Sequence, residues 1–246
     1  MLKIFNRMAK IFDSLKKPFT SAIILCAGSS TRFGSNKQMA IVQGKTVAER
    51  TIGIFHDSYV ISEIILVVPK DEVEAYKELV VLGDFKKVSA IVTGGETRQA
   101  SALRGLKHIS EKSKYVAIHD GARCLITEEI IETVLLEAFE HRCATAATRM
   151  TDTVKICDGE QFIDGTVDRE MLWTVQTPQI FETEIYKYAS LSAKQSGIAV
   201  TDDCMLLESL GIKVKLVDTG KENIKITHPV DIALAEYILK NRNGEE

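Results

Sequence analysis

Residues 22–34 read Ala22-Ile23-Ile24-Leu25-Cys26-Ala27-Gly28-Ser29-Ser30-Thr31-Arg32-Phe33-Gly34, and Lys37-Gln38 follow shortly after. The first six positions are apolar without alternation, the pattern of a short strand covered on both faces of a sheet. Gly28 ends the run and a polar loop begins. Small residues at such a strand end let backbone N–H groups approach an anion closely, which makes Ala27, Gly28 and Ser29 candidate nucleotide-binding positions. Arg32 can fork onto phosphate oxygens and Lys37 can act as a mobile point charge. A nucleoside triphosphate needs such cations, and the charge that develops on its α-phosphate during attack needs them more.

Outward from this strand the chain alternates. Thr46 starts a helix to about His56, with Glu49 completing a capping box. Strands are expected at residues 63–68, closed by Pro69, at 88–93, closed by Gly94-Gly95, at 115–119 and at 144–148. Helices are expected at 71–80, 96–109 and 128–140. This order predicts an α/β fold, a mostly parallel twisted sheet with helices on both faces. Such sheets bind ligands at the carboxyl ends of their strands.

From about 151 to 178 the pattern breaks into short β-like pieces at 153–157, 162–167 and 172–176, with Asp158-Gly159 as a hairpin signal. These read as a β-arm projecting from the sheet. Helices near 182–195 and 202–210, strands at 213–217 and 223–227, and a last helix from Pro229 complete the expectation. Residues 1–20 form a separate N-terminal extension, basic and amphipathic, and residues 21–246 a single domain. Ile4, Phe5, Met8, Ile11, Phe12 and Leu15 recur at helical spacing there, beside Lys3, Arg7, Lys10, Lys16 and Lys17. That pattern suits a membrane surface or a partner, but the preferred reading is an extension that packs on its own domain or frays.

Composition bounds the function. The 246 residues are 45% apolar and 26% charged, ordinary for a globular protein able to bury a core without disulfides. The net charge of -3 gives no overall basic field for nucleic acid. Five scattered cysteines make no C-x-x-C pair, no signal-peptide pattern stands at the start, and a reducing cytoplasm is the expected compartment. No apolar run is long enough to span a bilayer. Cys26 and Cys124 are expected to be buried small hydrophobes. G-x-G-x-x-G is absent, and Gly44-Lys45-Thr46 lacks the first glycine of a P-loop, which argues against a P-loop phosphotransferase.

Two further strand ends carry polar groups. Gly94-Gly95-Glu96-Thr97-Arg98-Gln99-Ala100-Ser101 would let a flat base approach the backbone, though Gly-Gly by itself also marks a plain turn. In His119-Asp120-Gly121-Ala122-Arg123, Asp120 could hold a metal or a hydroxyl and Arg123 a phosphate, or the two could form a local ion pair. His119 reads as structural, since a phosphate monoester attacks without losing a proton.

Taken with Thr166-Val167-Asp168-Arg169, Gln176-Thr177-Pro178-Gln179 and Asn223-Ile224-Lys225-Ile226-Thr227, these segments resemble, in order, the 2-C-methyl-D-erythritol 4-phosphate cytidylyltransferases of the non-mevalonate isoprenoid pathway. The resemblance runs from about Ser21 to the C-terminus. It implies a Rossmann-like nucleotidyltransferase fold, and transfer of CMP from CTP to 2-C-methyl-D-erythritol 4-phosphate with Mg²⁺ and release of pyrophosphate. It also implies a homodimer joined by the β-arm. It makes Arg32, Lys37, Arg169 and Lys225 catalytic, the first two at the α-phosphate and the last two positioning the acceptor. Gly94, Gly95, Glu96 and Ser101 would hold the base. Asp120, Arg123, Thr153, Arg169, Thr177 and Lys225 would hold the sugar phosphate, with Arg169 and Thr153 serving the neighbouring subunit. Which residues, if any, ligate the metal is left open.

The chain departs from the family pattern. Ser30 stands for the usual second glycine of the first loop, the usual proline before Lys37 is missing, Cys124 replaces a proline and Gly121 an alanine. The short first loop also resembles that of molybdopterin nucleotidyltransferases. A ribitol-5-phosphate cytidylyltransferase is the nearest alternative, since the acceptors are polyol phosphates of similar size. A non-catalytic nucleotide sensor on the same fold is a second, against which the four cations speak.

Overall fold

The computed structural model describes residues 17–28, 33, 34 and 36–244. The expected amphipathic segment at 1–16 lies outside the described residues, as do Ser29 and Arg32. Lys17 donates to the Tyr59 carbonyl and sits 4.9 Å from the centre of its ring.

Seven strands form one sheet in the order β11-β7-β10-β6-β1-β4-β5. They are β1 (Thr20–Leu25), β4 (Glu63–Val68), β5 (Val88–Thr93), β6 (Tyr115–Asp120), β7 (Cys143–Arg149), β10 (Trp173–Glu182) and β11 (Lys215–Asp218). All neighbours pair parallel except β10, which runs antiparallel to β6 and β7. The helices are α1 (Val47–Asp57), α2 (Val73–Leu82), α3 (Arg98–Leu106), α4 (Glu128–His141), α5 (Thr183–Gln195), α6 (Cys204–Glu208) and α7 (Val230–Asn243).

Successive side chains of β1 point to opposite faces, so this run of apolar residues feeds two cores. Ala22, Ile24 and Cys26 join Ile64, Leu66, Phe55, Tyr76 and Leu135 on one face. Ile23 and Leu25 join Ile65, Val67, Leu106, Phe181 and Tyr186 on the other. Each fully buried Ile, Leu, Val or Phe among them contributes about 1.5–3 kcal/mol. A smaller cluster of Val42, Val47, Ala122, Leu125, Ile226 and Ile238 seats α7.

The capping box forms as the sequence predicts: Thr46 Oγ1 accepts the Glu49 N–H at 3.0 Å and Glu49 accepts the Thr46 N–H at 3.4 Å. Gly44-Lys45-Thr46 belongs to a small hairpin of β2 (Ile41–Val42) and β3 (Lys45–Thr46). Gln43 and Gly44 both have positive φ, 44° and 78°, as a tight two-residue turn requires.

Three expectations need correction. The arm ends before residue 178: β10 continues from the arm through Gln176 to Phe181 into the centre of the sheet, its pairing with β7 shifting register between Val175 and Gln179. The projecting pieces are β8 (Lys155–Cys157) and β9 (Ile163–Thr166), a hairpin whose turn holds Asp158-Gly159 as expected, with Gln161 at positive φ. Residues 223–227 form no strand; Ile226 N–H donates to the Ala122 carbonyl at 2.8 Å. The expected helix at 202–210 shortens to Cys204–Glu208. Among the described residues no helix is long and apolar enough to cross a membrane.

Candidate active site

The parallel strands β1, β4, β5 and β6 bring their carboxyl ends to one rim. A pocket of about 520 Å³ opens there, lined by Ala27, Gly28, Pro69, Lys70, Gly94, Gly95, Glu96, Thr97 and Arg98. Its loops are held by the sheet. Ala27 N–H donates to the Val67 carbonyl at 2.9 Å and Gly94 N–H to the Val68 carbonyl at 2.8 Å. A side chain on Gly94 would collide with the Ala27 methyl, and one on Gly95 would stand 2.6 Å from the Ala100 methyl. Only backbone can form this wall. Ser101 lies beneath it, 1% exposed, its hydroxyl accepting the Gly95 N–H at 3.0 Å. Thr97 caps α3, so the first turn of that helix meets the pocket with its N–H groups and positive dipole end.

Beside this pocket β6 ends on Asp120. Arg98 Nε lies 3.1 Å from Asp120 Oδ1, and Lys225 Nζ lies 2.7 Å from Oδ2. Arg98 Nη1 also pairs with Asp203, which accepts the Tyr186 O–H at 2.6 Å. Burial alone would raise the Asp120 carboxyl, but the Arg98 and Lys225 charges outweigh it and hold it well below the usual carboxylate range. Burial alone would lower Arg98, and Asp203 and Asp120 reverse it. Asp120 N–H donates to Thr177 Oγ1 at 3.0 Å, and Thr177 lies 3.0 Å from His119 Nδ1. Burial pushes His119 down to about 3, so the ring is neutral near pH 7. It accepts from Thr177 and presents Nε2 to the Arg123 carbonyl at 3.4 Å. Arg123 makes no pair with Asp120. Its Nη1 donates to the Asn223 carbonyl at 2.7 Å, and burial lowers its pKa.

Three other expected residues lie on the first loop and on the arm. Lys37 opens the 3-10 turn Lys37–Met39. Arg169 and Thr153 are exposed on the arm, Arg169 Nη1 donating to the Thr151 carbonyl at 3.2 Å. Among the described residues of one chain, no hydrogen bond or ion pair joins Arg169 or Thr153 to Asp120 or Lys225. Cys26 and Cys124 are buried, pushed up by burial to about 12 and about 11.

The model of the 2-C-methyl-D-erythritol 4-phosphate cytidylyltransferase family matches residues 20–241. The chain belongs to that family. It is 42% identical over 226 residues to the enzyme of this name from Alkaliphilus oremlandii, covering 91% of this chain and 96% of the relative. It is 41% identical to that of Caldanaerobacter subterraneus over 89% and 98% of the two chains. The crystal structure of 4-diphosphocytidyl-2C-methyl-D-erythritol synthase from Anaerococcus prevotii superposes with a TM-score of 0.82 at 32% identity, covering 93% of this chain and 99% of that one. The enzyme from Thermus thermophilus gives 0.74 at 31% identity, over 89% and 98%.

Its activity is therefore cytidylyl transfer to 2-C-methyl-D-erythritol 4-phosphate, a step of isoprenoid precursor synthesis. These relatives favour the methylerythritol acceptor over ribitol phosphate. Within this cytidylyltransferase, residue-by-residue reading passed over Arg98, Lys70 and Asp203. Arg98 and Lys70 follow strand ends, so the rule that found Lys37 could have found them. Asp203 carries no such signal, because its segment reaches the rim only through tertiary packing.

Proposed function

We propose that CMP transfer takes place on this rim, with CTP in the glycine-walled pocket and the acceptor beside Asp120 and Lys225. The observation that carries this reading is Arg98, which lines the pocket and bonds Asp120, so the two subsites share a wall. Ala27, Gly28, Ser29, Gly94, Gly95 and Glu96 would hold the nucleotide, with Ser101 bracing Gly95. Lys225, Asp120, Thr177 and Arg123 would hold the acceptor. An acceptor phosphate oxygen attacks the α-phosphorus, a P–O bond forms, the bond to the bridging oxygen breaks, and pyrophosphate leaves. Arg32 and Lys37 stabilise the charge that builds in the transition state.

Both carboxylate oxygens of Asp120 already face cations. Mg²⁺ is therefore proposed to arrive with CTP, held by its phosphate oxygens. There it would neutralise phosphate charge, while this chain's own cations would orient the triphosphate.

The arm carries exposed Ile156, Phe162, Ile163 and Met171, which supports a second copy of the chain covering it. In that homodimer Arg169 and Thr153 would reach the neighbouring subunit's rim. The five cysteines are free, four of them buried, which supports a reducing cytoplasm.

The test is pyrophosphate release with CTP, Mg²⁺ and each acceptor. Methylerythritol phosphate is expected to be preferred, and Lys37→Ala and Arg32→Ala to lose ~10²-fold or more in turnover. Preference for ribitol phosphate, CTP binding without turnover, or wild-type rates in either variant would overturn the corresponding part.

A further inference from the structure

We infer that Glu72 is a positioning residue for Lys37, acting through Asn36; this rests on the assignment of Lys37 to the triphosphate. A lysine ammonium sits on a flexible four-carbon stem, so its placement depends on how firmly its own backbone is held. The residues on both sides of Lys37 are held. Asn36 Oδ1 accepts the Gln38 N–H at 3.0 Å, which caps the turn Lys37–Met39. Asn36 Nδ2 donates to Glu72 Oε1 at 2.7 Å. Gln38 is 4% exposed, and its Oε1 lies 3.2 Å from where a side chain on Gly121 would begin.

The Asn36–Glu72 bond ties two separate strand ends together. Asn36 belongs to the loop after β1, and Glu72 closes the 3-10 turn Lys70–Glu72 after β4, whose Pro69 and Lys70 line the nucleotide pocket. Glu72 Oε2 is buried without a hydrogen-bond partner among the described residues. Among the described residues the carboxylate is oriented by the Asn36 amide, and that residue precedes Lys37. A small displacement of a group that must meet the α-phosphate lowers the rate without any loss of charge.

The experiment measures kcat, KM for both substrates and Tm on the full chain, for Glu72→Ala, Glu72→Gln, Asn36→Ala, Lys37→Ala and the double variant Lys37→Ala with Glu72→Ala. Glu72→Ala is expected to lower kcat about 10-fold, with KM for the acceptor and Tm near wild type. Glu72→Gln, which keeps the acceptor oxygen, is expected to stay within about twofold of wild type. Asn36→Ala removes the same bond from the loop side together with the cap on the Gln38 N–H, and is expected to lower kcat at least as much as Glu72→Ala, which keeps the test valid should Glu72→Ala fold poorly. In the Lys37→Ala background Glu72→Ala is expected to have no further effect. The inference is overturned by wild-type kcat in Glu72→Ala or Asn36→Ala, or by an equal loss with and without Lys37. Wild-type turnover in Lys37→Ala would instead sink the assignment of Lys37 itself.

Discussion

At the rim, Arg98 and Lys225 are fixed on Asp120, Arg98 is held again by Asp203, and these partners are largely buried. On the arm, Arg169 makes one bond, to a carbonyl, among the described residues and lies open to solvent. The same residue type is thus held in two ways. The rim cations are part of the fold and need its integrity. The arm cation is carried by the fold but contributes little to it. Rim substitutions should therefore cost stability and activity together, and arm substitutions activity alone.

The largest expected effect is at Arg98. Arg98→Met leaves Asp120 without its more buried partner and Asp203 with only the Tyr186 hydroxyl, and is expected to cost about 3–5 kcal/mol in urea denaturation. A loss below 1 kcal/mol would break the comparison.

Next comes Arg169→Ala, expected to lose ~10²-fold in turnover while stability changes by less than about 0.5 kcal/mol. Steady-state kinetics beside the same denaturation assay checks both halves, and a large fall in stability would place Arg169 with the rim.

The smallest is a pH effect at His119, which sharpens the contrast because the arm has no counterpart. The unfolded ring takes its proton near 6.5 and the folded ring near 3. Below 6.5 the unfolded state binds more protons, so this contribution to stability is lost as pH falls toward 3. Between pH 7 and pH 5 the wild type is expected to lose about 2 kcal/mol more than His119→Asn. Glu132, raised by burial to about 7, acts in the opposite sense over part of this range, but equally in both proteins, so it cancels in the difference. Identical slopes would show that His119 is not held neutral.

The parallel part of the fold was legible because its strands are unbroken apolar runs closed by Gly or Pro, as at Ile64 to Pro69. The antiparallel strand was not: Gln176-Thr177-Pro178 puts polar residues and a proline where a central strand should be apolar. Those polar groups are satisfied by the rim itself, Gln176 donating to the Gly220 carbonyl and Gln179 to Asp202. Residues 223–227 misled in the opposite direction. Ile224 and Ile226 alternate like a strand, yet the segment only lies extended over α7's cluster to deliver Lys225. In the site, strand-end loops pointed to the pocket and to Asp120, whereas Asp203 could not be found from a local pattern.

The strand Trp173–Glu182 begins among exposed arm residues and ends gripped between β6 and β7, passing Thr177 on the way. It has the shape of a lever, with its handle outside and its fulcrum in the sheet. The outer end of the strand and the hydroxyl that accepts from the Asp120 N–H are thus joined through one unbroken segment of backbone.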